Sequence, residues 1–246
     1  YFAYRKYGDK RYLEHSKSAI AALEGQKESR FYEILLPLGI YTAARLNAEQ
    51  ECHYDISKML GWVFDGCTSQ SGRTGWGVIT GRWGDYDVNG LQGSVTDGGG
   101  YAFLMNSFEM CWPIVPTVKY KPEFAKAVGK WMLNNANACR LFYPCEIDDF
   151  HQYAPELKNI TSDNVAYEGL RRSDKYGKAS LKGMSPVALG DGPTWVSSNP
   201  TSTMFSLYST SPVGIMGAIV STTDVAGILR LDCNATDFYA DRPYPA

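Results

Sequence analysis

GWGVITGRWGDYDVNGLQGS, residues Gly75 to Ser94, holds six glycines, two tryptophans, a tyrosine, an arginine and two aspartates in twenty positions. So many glycines oppose a helix, because each one in a helix interior costs about 1 kcal/mol relative to alanine. The charges break any strand alternation. The stretch reads as a long, flat, aromatic and acidic loop, and the segments on either side decide what carries it.

The N-terminal side reads as helical. From Lys10 to about Glu24, Tyr12, Leu13, Ala19, Ile20 and Leu23 recur near helical spacing, and Gly25 ends the run. Arg30 to about Glu49 makes a second helix with Phe31, Ile34, Leu35, Leu38, Tyr41, Thr42 and Leu46 on its buried side. Pro37 and Gly39 inside it predict a kink. Asp55 is placed to cap a third helix, Ile56 to Phe64.

On the other side, a helix from Tyr101 to about Val118 follows the triple glycine, bent or ended by Pro113 and Pro116. Pro122 suits the first turn of the next helix, which runs to about Phe142 with Phe124, Val128, Trp131, Met132 and Ala138 as its apolar face. The acidic turn CEIDDFHQY follows. After Asp174 Gly, Ser, Thr and Pro rise, and TWVSS, TMFSLYS and GILRLDC look like strands. This divides the chain into a helical region, 1–175, and a strand-rich segment, 176–246, either the start of a β-sandwich or part of the same domain. The uncapped opening helix and the abrupt end after a strand-like run suggest part of a longer protein.

Composition narrows the classes. The chain has 246 residues, 44% apolar and 20% charged, with net charge −2, as in a globular protein. That charge gives no footprint for a nucleic-acid partner. No run of about 18 apolar residues supplies a membrane span. The six cysteines form no CxxC pair and read as core thiols, with a Cys139–Cys145 disulfide as the alternative. Oligomeric state stays open.

YRKYGDKRYLEHSKSAIAALE, residues Tyr4 to Glu24, resembles the helix joint of the six-hairpin, or (α/α)-toroid, glycosidases, where a Tyr-x-x-x-Gly-Asp-x-x-Tyr-Leu pattern links consecutive helices. In it Gly8 would turn the chain, Asp9 cap, and Tyr12 and Leu13 pack. The pairs Ser29–Leu60 and Tyr101–Tyr143 fit the same architecture, so the resemblance covers roughly residues 1–170. It implies a mainly α fold: an incomplete (α/α)-toroid of antiparallel helical hairpins, then a shorter strand-rich part. It also implies a bacterial carbohydrate-active enzyme with a carbohydrate ligand. No cofactor is expected, and the location stays open, with secreted or periplasmic as the candidates. Lyases and phosphorylases share the toroid with hydrolases, so the fold alone does not give the activity.

In such a toroid, loops at one end make the cleft, which gives the segment around Trp83 a role. Trp76, Trp83 and Tyr86 offer rings for the flat faces of a sugar. Arg82, Asp85, Asp87, Asn89 and Gln92 offer hydrogen-bonding groups for its hydroxyls, joined by Tyr101 and Asn106. The alternative is a structural loop whose aromatics fill the protein's own core.

Glycoside hydrolysis needs two carboxylates, one of them held protonated by apolar surroundings. Candidates are Asp85, Asp87, Asp97, Glu109, Glu146, Asp148 and Asp149. Asp87, Asp85 and Glu109 lead, and Glu109 stands out within the apolar run YAFLMNSFEMCWPIV. A structural ion pair with Arg140 is the competing account of Glu109. Elimination on a uronic-acid polymer would instead need a base, for which His151 is placed better than His53, with Tyr101 or Tyr153, Asn106 and Arg82 as helpers. A glycan-binding module without chemistry is a third reading. No metal is expected: Cys52, His53 and Cys67 lack zinc-site spacing, and Glu146, Asp148 and Asp149 lack a calcium loop. Arg171, Arg172, Lys175, Lys178 and Lys182 read as a solvated basic loop.

Overall fold

A computed structural model of the chain describes residues 1–29, 31–64, 76–94, 100–152, 155, 169–172 and 187–189. In it α1 (Phe2–Tyr7) and α2 (Lys10–Glu24) form the expected joint: Gly8 is left-handed at φ 73°, and the Asp9 carboxylate accepts from the Arg11 N–H. Leu13 is buried there, whereas Tyr12 is 45% exposed, its ring 6.4 Å from that of Tyr7.

Helix α3 (Leu35–Gln50) begins later than the sequence spacing predicts. Pro37 accounts for this. It lies in the first turn, where its missing N–H has no intrahelical partner to lose. Helix α4 (Ile56–Phe64) matches expectation, and the Lys58 N–H is capped by the Asp55 carboxylate at 2.9 Å.

Beyond α4 the expected toroid fails. The glycine-rich segment contributes β1 (Trp76–Val78), β2 (Arg82–Trp83), β3 (Tyr86–Asp87) and β4 (Gln92–Ser94). Tyr101, expected to open a helix, instead opens β5 (Tyr101–Phe103). With β6 (Gly169–Arg171) and β7 (Val187–Leu189), five strands form one antiparallel sheet in the order β1-β4-β5-β6-β7, and β2 and β3 form a separate hairpin. An antiparallel sheet inserted between two groups of helices is an α+β arrangement, not a ring of helical hairpins. The physical reason lies in composition: residues too glycine-rich to hold a helix are stabilised by cross-strand pairing. The strand-like runs expected beyond residue 190, and Tyr153, Asp97, Cys67 and Lys175, lie outside the described residues.

Gly77, Gly93, Ala102, Leu170 and Ala188 pair in one row across the sheet, all buried. Trp76, Ser94, Tyr101, Arg171 and Val187 pair in the next. Successive residues point to opposite faces, so the second row gathers the large side chains on the other face. Helix α5 (Leu104–Glu109) leaves the end of β5 and packs on β4 and β5. Helix α6 (Cys111–Thr117) follows it and packs against α3 and against α7 (Ala125–Ala138), which 3₁₀ turns flank. Ile40, Leu46, Met59, Phe108, Ile114, Met132 and Phe142 fill the core between them. No described helix is long and apolar enough to cross a membrane.

Glu49 ties α1 to α3. Its carboxylate accepts from Tyr1 at 2.5 Å, Arg5 at 2.8 Å, Arg45 at 2.9 Å and Tyr120 at 3.2 Å. Burial alone would raise its pKa, but the bonds from Arg45 and Tyr1 outweigh this and hold it at about 2. A folded-state value below the ordinary 4.5 means that Glu49 stabilises the fold above that pH. The contribution fades as pH falls toward 2. Glu49→Ala is expected to lose about 2 kcal/mol by chemical denaturation at neutral pH and much less near pH 2; equal loss at both would exclude this role for the carboxylate.

Candidate functional site

The predicted site residues separate into two clusters and a buried remainder. Trp83 is 6% exposed, and its ring lies beneath Gly100. Gln92 is fully buried, its N–H on Ser107 Oγ at 2.9 Å and its Nε2 on the Gly90 carbonyl at 3.2 Å. Neither offers surface to a ligand.

The first cluster sits on the β2–β3 hairpin. Arg82 pairs with Asp87 and Trp83 with Tyr86 across it, which leaves Asp85 in the turn. Arg82 donates to the Asp85 carbonyl, and the Asp87 carboxylate accepts the Asn89 N–H at 2.9 Å, so both groups serve the turn. Tyr86 reaches across to Asp148, donating to Oδ2 at 2.5 Å and accepting the Asp148 N–H at 3.1 Å. The same Oδ2 lies 2.8 Å from His151 Nδ1, while Oδ1 caps the Asp149–His151 turn through the Phe150 N–H at 2.9 Å. Desolvation opposes ionisation of Asp148, but the bonds from Tyr86 and His151 prevail and hold its pKa at about 2. An ionised acceptor at Oδ2 places the His151 proton on Nδ1 and leaves Nε2 as the free nitrogen. Burial and the Asp148 bond raise the Tyr86 phenol.

Asp148 holds these two elements together. Asp148→Asn is expected to speed amide exchange at Tyr86 and Asp87 by about threefold to fivefold, the scale of an exposed ionic contact. In the native chain the same loosening should appear only as pH falls toward 2, because a depressed carboxyl keeps its contribution down to that range. Unchanged exchange in the variant would exclude the clamp.

The second cluster gathers Trp76, Tyr101, Asn106 and Glu109. Helix α7 fixes its base: Trp131 Nε1 donates to the Gly90 carbonyl at 3.0 Å, and Asn135 Nδ2 to the Ser107 carbonyl at 2.6 Å. The Trp76 ring meets Tyr32 edge-on at 4.9 Å and Phe103 at 5.8 Å, and Tyr101 stacks on Phe103 at 5.8 Å. The Arg171 guanidinium covers the Tyr101 ring at 3.8 Å. This places Arg171 on an aromatic face instead of in a solvated basic loop. Asn106, fully buried, donates through Nδ2 to the Tyr32 carbonyl at 3.1 Å, and its Oδ1 has no partner among the described residues.

Glu109 follows one turn later and is half-buried. Its pKa is raised, first by burial and then by the Glu33 carboxylate. The ion pair with Arg140 does not form, because Arg140 binds Glu146 at 3.1 Å. Among the described residues no hydrogen bond or ion pair holds Glu109 or Glu33. Asp85 acts instead on Tyr86.

Tyr32, Glu33 and Trp112 are the additions to the predicted set. Trp112 was legible, since it stands three residues after Glu109, and it is 55% exposed. Glu33 carries no such signal, because only the packing of distant segments brings it to Glu109.

Among the described residues no group of three or more His, Cys, Asp and Glu side chains could hold a metal ion. Cys52, Cys111, Cys139 and Cys145 are free thiols. Burial pushes Cys111 up to about 12, which leaves it unreactive. Comparison with protein families, curated proteins and solved structures yields no match to this chain.

Proposed function

We propose that the protein hydrolyses a glycosidic bond, with Glu109 as the acid and Glu33 as the partner carboxylate. The observation that supports this is Glu109 itself: a half-buried carboxyl, held toward its protonated form by burial and by a neighbouring carboxylate, without an ion pair among the described residues to neutralise it. That is the requirement for a group that must donate a proton to a leaving oxygen near neutral pH. Glu33 would act as base or nucleophile on the sugar's other side. Trp76, Tyr32 and Phe103 form a partly exposed aromatic rim for a ring's C–H face. Asp85 and Asp87, engaged on the hairpin, take no part.

A second reading draws on Asp148 and His151. A carboxylate on Nδ1 orients Nε2 as a proton acceptor, the part that elimination on a uronic-acid polymer needs. The product separates the two. Hydrolysis releases reducing ends without new ultraviolet absorbance, whereas elimination makes an unsaturated sugar that absorbs. The native chain is expected to release reducing ends from a glycan panel, and Glu33→Gln to release far fewer. Absorbance that survives Glu33→Gln and vanishes with His151→Ala would replace hydrolysis with elimination. Binding without either product would leave a glycan-binding module.

A further inference from the structure

We infer that Asn89 is a modification site: water converts its side-chain amide to a carboxylate, through ring closure onto the Gly90 nitrogen, and only while the backbone around Gly90 has left α7.

Asn89 and Gly90 form the one Asn-Gly pair in the sequence. The reaction uses water as its only co-reactant. The Gly90 nitrogen attacks Asn89 Cγ, the Cγ–Nδ2 bond breaks, and ammonia leaves. Water then opens the cyclic imide at either carbonyl. One product is aspartate. In the other, isoaspartate, the main chain runs through Cγ and is one backbone atom longer. Either way an amide and a water become a carboxylate and an ammonium ion. Glycine hinders the attack least, because it has no Cβ beside its nitrogen.

In the folded chain that nitrogen is fixed. The Gly90 N–H donates to the Ile79 carbonyl at 2.8 Å. The Gly90 carbonyl accepts from Trp131 Nε1 at 3.0 Å and from Gln92 Nε2 at 3.2 Å. With φ at 95°, a Cβ on Gly90 would stand 2.6 Å from the Asn135 backbone nitrogen, so the residue lies directly on α7. Val88 and Leu91 on either side are fully buried. Asn89 is only half-buried, and among the described residues no hydrogen bond holds its side-chain amide. The electrophile can turn; the nucleophile cannot. Ring closure requires the Gly90 peptide to rotate away from Ile79, Trp131 and Gln92, so its rate follows the population of the locally open state.

The site lies at a neck. The Gly90 N–H on Ile79 and the Ile79 N–H on the Leu91 carbonyl at 2.7 Å close the loop that carries β2 and β3. Isoaspartate lengthens that neck and shifts Gly90 against Ile79 and α7. The new charge also stands beside Asp87, whose carboxylate accepts the Asn89 N–H at 2.9 Å. One opening of the neck thereby becomes permanent.

The test is incubation of the whole chain at mildly alkaline pH, natively and in concentrated urea, with the peptide carrying Asn89 followed by mass and by an isoaspartate assay. Conversion in the native chain is expected to run about a hundredfold slower than in urea, the scale of a local opening. Trp131→Phe keeps a ring in the core and removes one donor to Gly90. It should speed native conversion about tenfold, the scale of a lost buried hydrogen bond, in step with amide exchange at Gly90. Should that variant not fold, low urea concentrations on the native chain supply the same series. Equal rates in native buffer and in urea overturn the gating. No conversion in urea overturns the site. A converted chain that regains native exchange protection at Gly90 overturns the permanence.

Discussion

Glu109→Gln is expected to lower glycan cleavage by roughly 10²–10⁴-fold, the range for loss of a general acid. The amide keeps the shape of the carboxyl and cannot give up a proton to the leaving oxygen. The fold should tolerate it, because no described hydrogen bond or ion pair is lost. A thermal melt supplies an independent check. Because burial and Glu33 raise the folded-state pKa above 4.5, Glu109 favours the native state fully below that value. That advantage disappears as pH rises through the raised value. The native chain should therefore lose melting temperature across this window, and Glu109→Gln should lose less. Full cleavage by a folded Glu109→Gln would remove Glu109 from the chemistry.

Gly93→Ala is expected to prevent folding. A Cβ on Gly93 would lie 1.7 Å from the Tyr101 carbonyl oxygen and 2.8 Å from its carbon. Both are backbone atoms of the paired strand, so no rotamer change relieves the clash; β4 and β5 must part. The loss should exceed about 4 kcal/mol, beyond the ordinary range for a point substitution. Soluble yield, far-ultraviolet circular dichroism and urea unfolding would measure it. Native-like stability in the variant would mean that β4 and β5 do not pair in this register.

Helices α2, α4 and α7 were legible because each joins a run of apolar residues at helical spacing to a local start signal: Asp9, Asp55 and Pro122. Strands β1 to β5 were not. Segments of two or three residues, several of them glycine, are too short to show alternation, and their partners lie elsewhere in the chain. Tyr101 to Phe103 illustrates this: helical spacing continues into it from α5, yet pairing with β4 and β6 on either side holds it extended. The same division runs through the candidate site. Glu109 was conspicuous as a carboxylate in an apolar run, Asn106 as its amide neighbour, and Trp76 as an aromatic among glycines. Glu33 resembled any charge at the start of a helix. Asp148 was visible as one acid among three, but nothing local showed that it would join Tyr86 to His151.

The bond between Asn106 and the Tyr32 carbonyl joins positions 74 apart in the chain, with the whole first part of the sheet between them. Closing so long a loop is entropically slow and is repaid only when the intervening strands are in place. The two carboxylates should therefore meet late on the folding route, after α1 and α2 have formed their local joint. In a refolding experiment cleavage should return with the slowest phase, well behind the recovery of helical signal.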